Sequence, residues 1–261
     1  MPPNLVAATV RQGLFTRIVG RRLLYYPELS STMDEAGKLG EGNAEEGAVV
    51  VAEVQNAGRG RQGRTWVSRP DNLLVSVLFR PSLDALPFIS IIGGIAAARA
   101  VRKVTGLEVR IKWPNDLLID GRKIAGILAE SAIAGDTVWY AVLGLGMNVS
   151  LDTDQTEEIA AFAFATCINA AAGQEVPRED LLRQFLMDLD ALYLDLRQGQ
   201  SPIEEWQGLL STTGQRLVAT WGNDKYTGVA EGTDPMGNLL LRQDDGTLLT
   251  LTAGDITLSG N

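Results

Sequence analysis

The chain has 261 residues, of which 45% are hydrophobic and 21% are charged, so its composition is that of a globular protein and excludes disorder and collagen. It contains one cysteine and no histidine, which excludes internal disulfides, zinc fingers, zinc hydrolases and any catalytic relay through histidine. Catalysis would therefore depend on carboxylates, lysine, arginine, backbone groups or a cation held by oxygen.

Charge is distributed unevenly along the chain. The formal net charge is −9, yet residues 1–150 carry 17 basic and 14 acidic side chains, whereas the rest carries 6 basic and 18 acidic ones. Between residues 58 and 69 lie Arg59, Arg61, Arg64 and Arg69 with no acid among them. Such a cluster is more often a solvated loop than a binding site. Because nucleic acid requires a broad basic face, we expect no DNA partner, and a small, focused anion is the better ligand for this cluster.

Apolar runs in the first part of the chain predict a sheet whose strands are joined mostly by short connections. Runs rich in valine, leucine and isoleucine predict strands, and an amphipathic stretch with basic residues in its last turns predicts a helix. In chain order these are strands at 47–54 and 73–80, a helix at 87–104, and strands at 108–112, 116–120, 123–130 and 137–143. Because few helices intervene, we expect the α+β class with a mixed, mostly antiparallel sheet.

The second part of the chain changes from helical spacing to short strands. Helices are predicted at 154–172, 178–197 and 202–210, and Cys167, on the first of them, is expected to be a buried packing residue. After Gly214, apolar runs separated by glycine, asparagine and aspartate predict a small β-barrel. Its strands are expected at 216–220, 227–231, 238–242, 247–251 and 255–258. The expected domains are therefore residues 1–213 and 214–261.

The amino terminus and the apolar segments predict neither secretion nor membrane insertion. The first residues lack a basic start followed by a sustained apolar stretch. The longest nearly apolar window, residues 159–173, is interrupted by Thr166 and Asn169 and is too short to span a bilayer. We therefore expect a cytoplasmic location and no membrane partner.

The glycines of the arginine cluster match a dinucleotide-binding pattern, but their context does not. Residues 58–63 read G-x-G-x-x-G after a predicted strand. In a dinucleotide fold a helix would follow, whereas residues 64–70 contain Trp66, β-branched residues and a proline. The glycines instead allow backbone N–H groups to approach a ligand, while guanidinium groups bind phosphate or carboxylate oxygens at two points.

A second polar segment lies at a predicted hairpin. Residues 112–116 read Lys-Trp-Pro-Asn-Asp, and Lys123 follows on the returning strand. Trp113 could belong to the core, and Asp116 could form a turn or meet a Mg²⁺ ion that is carried by a nucleotide. Residues 144–148, Gly-Leu-Gly-Met-Asn, form another strand end that permits close approach. Together these segments predict a site for a nucleotide and a second, anionic small molecule.

In their order and spacing these motifs resemble the biotin protein ligases, which join biotin to a lysine of a carboxylase partner. The motifs are residues 58–64 with Trp66, residues 112–116, 121–128 and 144–148, and the pair Ser31-Thr32, and the resemblance covers roughly residues 24–258. It implies a catalytic domain akin to class II aminoacyl-tRNA synthetases, an SH3-like C-terminal barrel, and the activity of a biotin-[acetyl-CoA-carboxylase] ligase. Because few residues precede the matched region, we expect no winged DNA-binding domain of the repressor type.

The resemblance also implies a role for individual residues. The implied catalytic residues are Lys123, Arg59, Lys112 and Asp116, and Asp116 would meet Mg²⁺ together with the ATP phosphates. The implied biotin-binding residues are Ser31, Thr32, Gln55, Gly58, Arg59, Arg61, Lys123, Gly126 and Gly144. The implied nucleotide-binding residues are Arg59, Arg61, Arg64, Trp66, Lys112, Asn115 and Asn148. Residues 57–68 are expected to be mobile when the site is empty and to order over biotinyl-5′-AMP.

Two alternatives differ from this interpretation in chemistry. A lipoate protein ligase shares the fold and the adenylating reaction but lacks the Gly-Arg-Gly-Arg loop. A non-catalytic biotin sensor would not need lysines that align phosphates. The expected partners are biotin, ATP and the biotin carboxyl carrier protein of acetyl-CoA carboxylase. The sequence does not decide between a monomer and a homodimer.

Overall fold

The structure is a computed structural model that describes residues 7–150, 165–222, 224–252 and 254–258. In chain order its helices and strands are α1 (Ala7–Arg11), β1 (Leu23–Leu29), α2 (Thr32–Glu41), β2 (Val49–Gln55), β3 (Leu73–Phe79), α3 (Ile89–Thr105), β4 (Arg110–Lys112), β5 (Asp116–Ile119), β6 (Arg122–Ala134), β7 (Thr137–Met147), α4 (Ile168–Ala172), α5 (Arg178–Arg197), α6 (Ile203–Leu209), β8 (Arg216–Trp221), β9 (Asp224–Thr233), β10 (Leu239–Gln243), β11 (Leu248–Leu251) and β12 (Asp255–Leu258).

Within the described residues, the first sheet has seven strands in the order β1-β2-β3-β7-β6-β5-β4. Only β1 and β2 run parallel in it, and the other neighbouring strands are antiparallel. Asp120 and Gly121 join β5 to β6 with φ angles of 50° and 75°, the left-handed turn that a two-residue hairpin requires. The predicted α+β class and mixed, mostly antiparallel sheet are confirmed.

Helices bury the sheet in two clusters of apolar side chains. The larger cluster joins α3, α5 and the central strands, and Gly93 lets α3 approach β7 so closely that a Cβ there would lie 2.8 Å from Leu143. The smaller cluster lies under α2, where Met33 packs with Val50 and Leu78. This second cluster fixes α2 against the sheet and thereby positions the start of the helix, which belongs to the site described below.

The C-terminal part forms a separate antiparallel sheet. Among the described residues its strand order is β11-β10-β9-β8-β12. This order agrees with the predicted all-β character after Gly214, while closure into an SH3-like barrel stays a prediction. The indole Nε1 of Trp113 donates to the carbonyl of Gly237 at 3.0 Å, and Gln207 donates to the carbonyl of Thr233 at 3.0 Å. These contacts join the C-terminal part to the β4–β5 hairpin and to α6. Trp113 is 2% exposed and belongs to the larger apolar cluster, in agreement with its interpretation as a core residue.

The predicted helix at 154–172 falls partly on residues outside the described ranges. Within the described part only Ile168–Ala172 is helical, and Cys167 has an extended backbone. The reason is pairing with the sheet, because the backbone N–H of Thr166 donates to the carbonyl of Lys123 at 2.8 Å. The burial predicted for Cys167 is confirmed at 4% exposure, but its placement within a helix is wrong.

Strand β1 and helix α2 were not predicted from the sequence. β1 is an edge strand that contains Pro27 and lacks a clear alternation of apolar residues. α2 contains Gly37 and Gly40, which lower helix propensity. The structure explains Gly40, because a Cβ there would lie 2.6 Å from the ring of Tyr140. Packing of α2 against β7 therefore outweighs the low helix propensity of its glycines.

Across the residues that the structure describes, no helix has the length and apolar character needed to cross a membrane.

Candidate active site

A cavity of about 360 Å³ lies between the start of α2, the arginine-rich loop, the β5–β6 hairpin and the C-terminal sheet. Its size is within the range of small-molecule sites. The predicted site residues that line it are Ser31, Thr32, Gln55, Arg59, Arg61, Arg64, Trp66, Lys112, Asn115, Asp116, Lys123, Gly126 and Gly144. The fold thus brings together residues that are distributed over more than 110 positions of the chain.

One end of the cavity is a neutral hydrogen-bonding network at the start of α2. Ser31 caps the helix, since its hydroxyl accepts the backbone N–H of Met33 at 3.2 Å. Both the backbone N–H and the hydroxyl of Thr32 donate to Gln55 Oε1, at 2.7 and 2.9 Å. The hydroxyl of Ser76 donates to Thr32 Oγ1 at 2.8 Å. Ser31 and Thr32 are only 2% and 3% exposed, so this polar end is rigid and desolvated.

Three glycines allow bulky side chains to lie directly on the sheet in this cavity. A Cβ at Gly146 would lie 2.4 Å from the indole of Trp66, and one at Gly126 would lie 3.2 Å from it. A Cβ at Gly144 would lie 2.6 Å from the sulfur of Met33. The close approach that the glycine motifs predict is therefore made by Trp66 and Met33, which form the cavity wall.

Two cations and a carboxylate project from the β4–β5–β6 region. Lys123 Nζ lies 2.6 Å from Asp116 Oδ1 and 5.5 Å from the centroid of the Trp66 ring. Lys112 is the register partner of Asp116 in the β4–β5 hairpin. The indole Nε1 of Trp66 is buried and has no hydrogen-bond partner among the described residues. This end of the cavity is therefore cationic and suits the phosphates and carboxylates of a ligand.

The arginine loop, residues 57–68, folds over the cavity as a small hairpin. Arg59 pairs with Thr65 in an antiparallel bridge, and the backbone N–H of Trp66 donates to the carbonyl of Gly58 at 2.9 Å. Gln62, at the tip, has a φ of 54°, a left-handed conformation that few side chains adopt.

Arg61 and Arg64 connect this loop to the rest of the site. Arg61 Nη1 donates to Asn115 Oδ1 at 3.3 Å and to the carbonyl of Gly254 at 3.2 Å, and Arg64 forms an ion pair with Asp255. Burial lowers the pKa of Arg61, and the nearby carboxylates Asp255 and Asp116 oppose that effect. Arginine stays protonated in proteins, so Arg61 contributes a fixed positive charge to the cavity.

Arg59 has a different surrounding, because its guanidinium bonds to two carboxylates. Arg59 Nη1 lies 2.5 Å from Asp34 Oδ1, and Nη2 lies 3.1 Å from Glu130 Oε2. The hydrogen bond to Asp34 raises the pKa of Arg59, and the bond to Glu130 acts in the same direction against partial desolvation. Both terminal nitrogens of Arg59 are thus directed to acidic side chains of α2 and β6.

Two predicted site residues lie outside the cavity lining. Gly58 packs against the chain, since a Cβ there would lie 2.6 Å from the carbonyl oxygen of Trp66. Asn148 is buried, and its side-chain amide donates to the carbonyl of Thr166 at 3.3 Å. The structure therefore gives Gly58 and Asn148 supporting positions next to the site.

The C-terminal sheet contributes residues that the sequence analysis missed. Asp255, Ile256 and Thr257 of β12 line the cavity, as does Met33 from α2. β12 is separated from the arginine loop by almost 190 residues, and no local pattern signals that they meet. Only the packing of the two sheets brings them together.

Asp116 is a carboxylate of this cavity that could contribute to a divalent-ion site together with a ligand's oxygens. The described residues contain no group of three or more histidine, cysteine, aspartate or glutamate side chains arranged to hold a metal ion. Asp116 offers one carboxylate, which it shares with Lys123. Mg²⁺ often binds through one or two carboxylates plus substrate phosphates, so the donor set fits an ion that enters with a nucleotide.

Two family models match the chain in separate parts. Residues 25–148 match the biotin/lipoate A/B protein ligase family, and residues 212–259 match the biotin protein ligase C-terminal domain. Every residue that lines the cavity lies within one of these two ranges.

Curated relatives and a solved structure resemble nearly the whole chain. The bifunctional ligase/repressor BirA of Bacillus subtilis is 34% identical over an alignment that covers 98% of this chain and 80% of that protein. The biotin--[acetyl-CoA-carboxylase] ligase of Paracoccus denitrificans is 33% identical, covering 81% and 90%. The biotin protein ligase of Aquifex aeolicus, solved with biotin and ATP, has a TM-score of 0.75 and 25% identity, covering 92% and 100%.

Proposed function

The chain belongs to the biotin protein ligase family and is a biotin-[acetyl-CoA-carboxylase] ligase, and we propose that the cavity beneath the arginine loop is where it forms and uses biotinyl-5′-AMP. The observation that carries this assignment is the meeting of two unlike ends in one cavity. The neutral network of Ser31, Thr32 and Gln55 lies at one end, and the cations Lys112 and Lys123 lie at the other.

The neutral end suits the ureido ring of biotin, which is uncharged and rich in hydrogen-bonding groups. Thr32 and Gln55 fix each other, so a ring bound beside them meets donors and acceptors that are already oriented. Met33, lying over Gly144, adds an apolar surface for the thioether ring and tail. The biotin carboxylate then extends towards Lys123.

The first step needs charge neutralisation and alignment more than proton transfer. A carboxylate is already ionised at pH 7, so biotin attacks the α-phosphorus of ATP without a general base. A carboxylate–phosphorus bond forms, and the bond from the α-phosphorus to the pyrophosphate oxygen breaks. Lys123 is assigned to the biotin carboxylate and the α-phosphate, Lys112 to the phosphates, and Arg61 and Arg64 to the nucleotide. These groups reduce the repulsion between two anions.

The nucleotide end is completed by Trp66, Asn115 and Asp116. Trp66 lies over Gly126 and Gly146 beside Lys123 and offers an apolar wall. Asn115 is held by donating to the carbonyl of Ile127 at 2.6 Å. Asp116 lines the cavity and would hold a Mg²⁺ ion bound to the ATP phosphates, where the ion would neutralise phosphate charge. Asn148 and Gly58 support this arrangement from outside the cavity.

In the second step a lysine amine of the acceptor attacks the acyl carbon of the mixed anhydride, and AMP leaves with the bonding electrons. The acceptor is expected to be a biotin carboxyl carrier protein, as the ligase name implies. The anhydride reacts with water and stray amines, so a loop that covers it has a chemical purpose. The ordering of residues 57–68 on ligand binding stays a prediction.

The division into residues 1–213 and 214–261 is supported by the change of sheet after α6 and by the separate C-terminal family match. A cytoplasmic location, the absence of a DNA partner and the choice between monomer and homodimer stay predictions.

The test is to incubate the protein with MgATP and labelled biotin and to separate the products before and after adding a biotin carboxyl carrier domain. We expect biotinyl-5′-AMP first, followed by label on the carrier and free AMP. Lipoate replaces biotin in the matched control and should give no adenylate. Adenylate formed from lipoate alone would favour a lipoate ligase, and biotin binding with no adenylate would favour a sensor.

A further inference from the structure

We propose that Asp34 and Glu130 are positioning residues that hold the arginine loop closed through Arg59 and thereby set how long the activated intermediate stays in the cavity. The inference rests on the proposed function, because the intermediate is biotinyl-5′-AMP. It adds two acidic residues to the site, and neither of them lines the cavity.

The geometry is that of one guanidinium shared between two separate elements. Asp34 lies in the first turn of α2, directly after the segment that carries Ser31 and Thr32. Glu130 lies on β6, the strand that carries Lys123. Arg59 donates to both carboxylates at once, at 2.5 and 3.1 Å. Arg59 therefore links the base of the loop to α2, which begins at the proposed biotin-binding network, and to β6, which carries Lys123.

A second set of contacts, here called ties like those of Arg59, links the other side of the loop to the C-terminal sheet. Arg64 pairs with Asp255, and Arg61 donates to the carbonyl of Gly254, both in the C-terminal sheet. Contacts to α2 and β6 thus hold the loop on one side, and contacts to the C-terminal sheet hold it on the other. On this proposal, opening of these contacts loosens the loop over the cavity and speeds the departure of a ligand beneath it.

The three side chains of the Arg59 contacts are partly exposed to solvent, which favours a role in opening and closing the loop over a role in the stability of the fold. The side chains of Arg59, Asp34 and Glu130 are 38%, 39% and 48% exposed. Ion pairs with this exposure are weak and are screened by salt, so they break and re-form easily. Ion pairs that break and re-form easily suit a loop that must open to admit two substrates, close over an intermediate and open again for an acceptor lysine.

The experiment measures the rate at which preformed biotinyl-5′-AMP leaves the full-length protein, using labelled biotin and a filter-binding chase. Asp34→Asn and Glu130→Gln keep the size of each side chain and remove its charge. We expect each to accelerate release about two- to fivefold, and the double variant about five- to twentyfold, from the usual contribution of exposed pairs. Release should accelerate more than formation slows.

Four controls separate the effect of the Arg59 ion pairs from a general structural effect. Glu231→Gln removes a carboxylate of similar exposure, 43%, that pairs with Arg242 in the C-terminal sheet, and it should leave release unchanged. Asp34→Glu keeps the charge and should restore slow release. Arg59→Ala is expected to release the intermediate fast, and in that background Asp34→Asn and Glu130→Gln should have no further effect. Added salt should accelerate release from the wild type more than from the double variant.

The proposal is overturned if the double variant releases the intermediate at the wild-type rate, or if the two substitutions act equally strongly in the Arg59→Ala background. A wild type that forms no biotinyl-5′-AMP would contradict the proposed function instead. The ties can then be tested by trypsin cleavage at Arg59, Arg61 and Arg64, identified by mass spectrometry. Faster cleavage in the double variant supports the ties, and equal cleavage overturns them.

Discussion

Lys123 Nζ lies 2.6 Å from Asp116 Oδ1, across the hairpin that β5 and β6 form at the floor of the cavity. The pair holds the ammonium near Trp66 while leaving 35% of the Lys123 side chain and 27% of the Asp116 side chain exposed. An incoming anion can therefore reach the cation without displacing a buried group.

Lys123→Ala should slow adenylate formation about a hundredfold or more, because it removes a preorganised cation from two anions that must approach each other. Lys123→Arg should retain part of the rate. Lys38→Ala removes an exposed lysine of α2 and serves as the control. Initial rates of biotinyl-5′-AMP formation measure the effect. A change below about threefold in Lys123→Ala would remove this residue from the mechanism.

Thr32→Val should impair biotin binding and also lower stability. Thr32 is 3% exposed, and its hydroxyl donates to Gln55 and accepts from Ser76. Valine leaves the buried Ser76 hydroxyl without this acceptor and removes one of the two hydrogen bonds to Gln55 Oε1, which keeps the backbone N–H at this position. We expect a loss of about 1–3 kcal/mol in the free energy of unfolding and a rise of about tenfold in the KM for biotin, with the KM for ATP little changed. Chemical denaturation and steady-state kinetics test this. Equal effects on both KM values would contradict a biotin-specific network.

Gly146→Ala should displace the indole of Trp66, because the new Cβ would lie 2.4 Å from it. The cavity wall then moves, and we expect binding of ATP to weaken about tenfold or more. Gly208→Ala is the matched control, since a Cβ on that helical glycine meets no atom within 4 Å. Isothermal titration with a non-hydrolysable ATP analogue gives the comparison. Wild-type affinity in Gly146→Ala would show that Trp66 does not shape the nucleotide end.

Asp255→Asn should loosen the arginine loop from the C-terminal sheet by removing the partner of Arg64. Trypsin cleavage within residues 57–68 is expected to accelerate about two- to fivefold, the scale of an exposed ion pair. Biotin with ATP should slow that cleavage in the wild type. Asp244→Asn removes a carboxylate that pairs with Arg216 elsewhere in the same sheet and should change nothing within the loop. Equal cleavage of the loop with and without ligands would contradict its ordering.

Local motifs were sufficient to predict most of the cavity. Lys112, Asp116 and Lys123 lie on three consecutive strands that form two adjoining hairpins, so their sequence spacing already places them together. The glycines were also identified from the sequence, but the atoms that approach them were not. That Trp66 occupies the space over Gly126 and Gly146 depends on how the loop folds back on the sheet, which no short pattern encodes.

Contacts between distant segments account for what the sequence did not predict. Arg64 meets Asp255 across a separation of 191 residues, and Arg59 meets Glu130 across 71. Nothing in the local sequence distinguishes these four charged residues from others, and only the packing of distant segments brings each pair together. α2 was missed because Gly37 and Gly40 weaken its helix propensity, although tertiary packing on β7 stabilises it.

The most direct test of the account is biotin-dependent exchange of labelled pyrophosphate into ATP, compared with lipoate, octanoate and no acid, in the wild type and in Lys123→Ala. The account predicts rapid exchange with biotin alone in the wild type and its near loss in Lys123→Ala. Exchange that is equally fast in both proteins would contradict the role of Lys123, and no exchange with any acid would contradict adenylation by this protein.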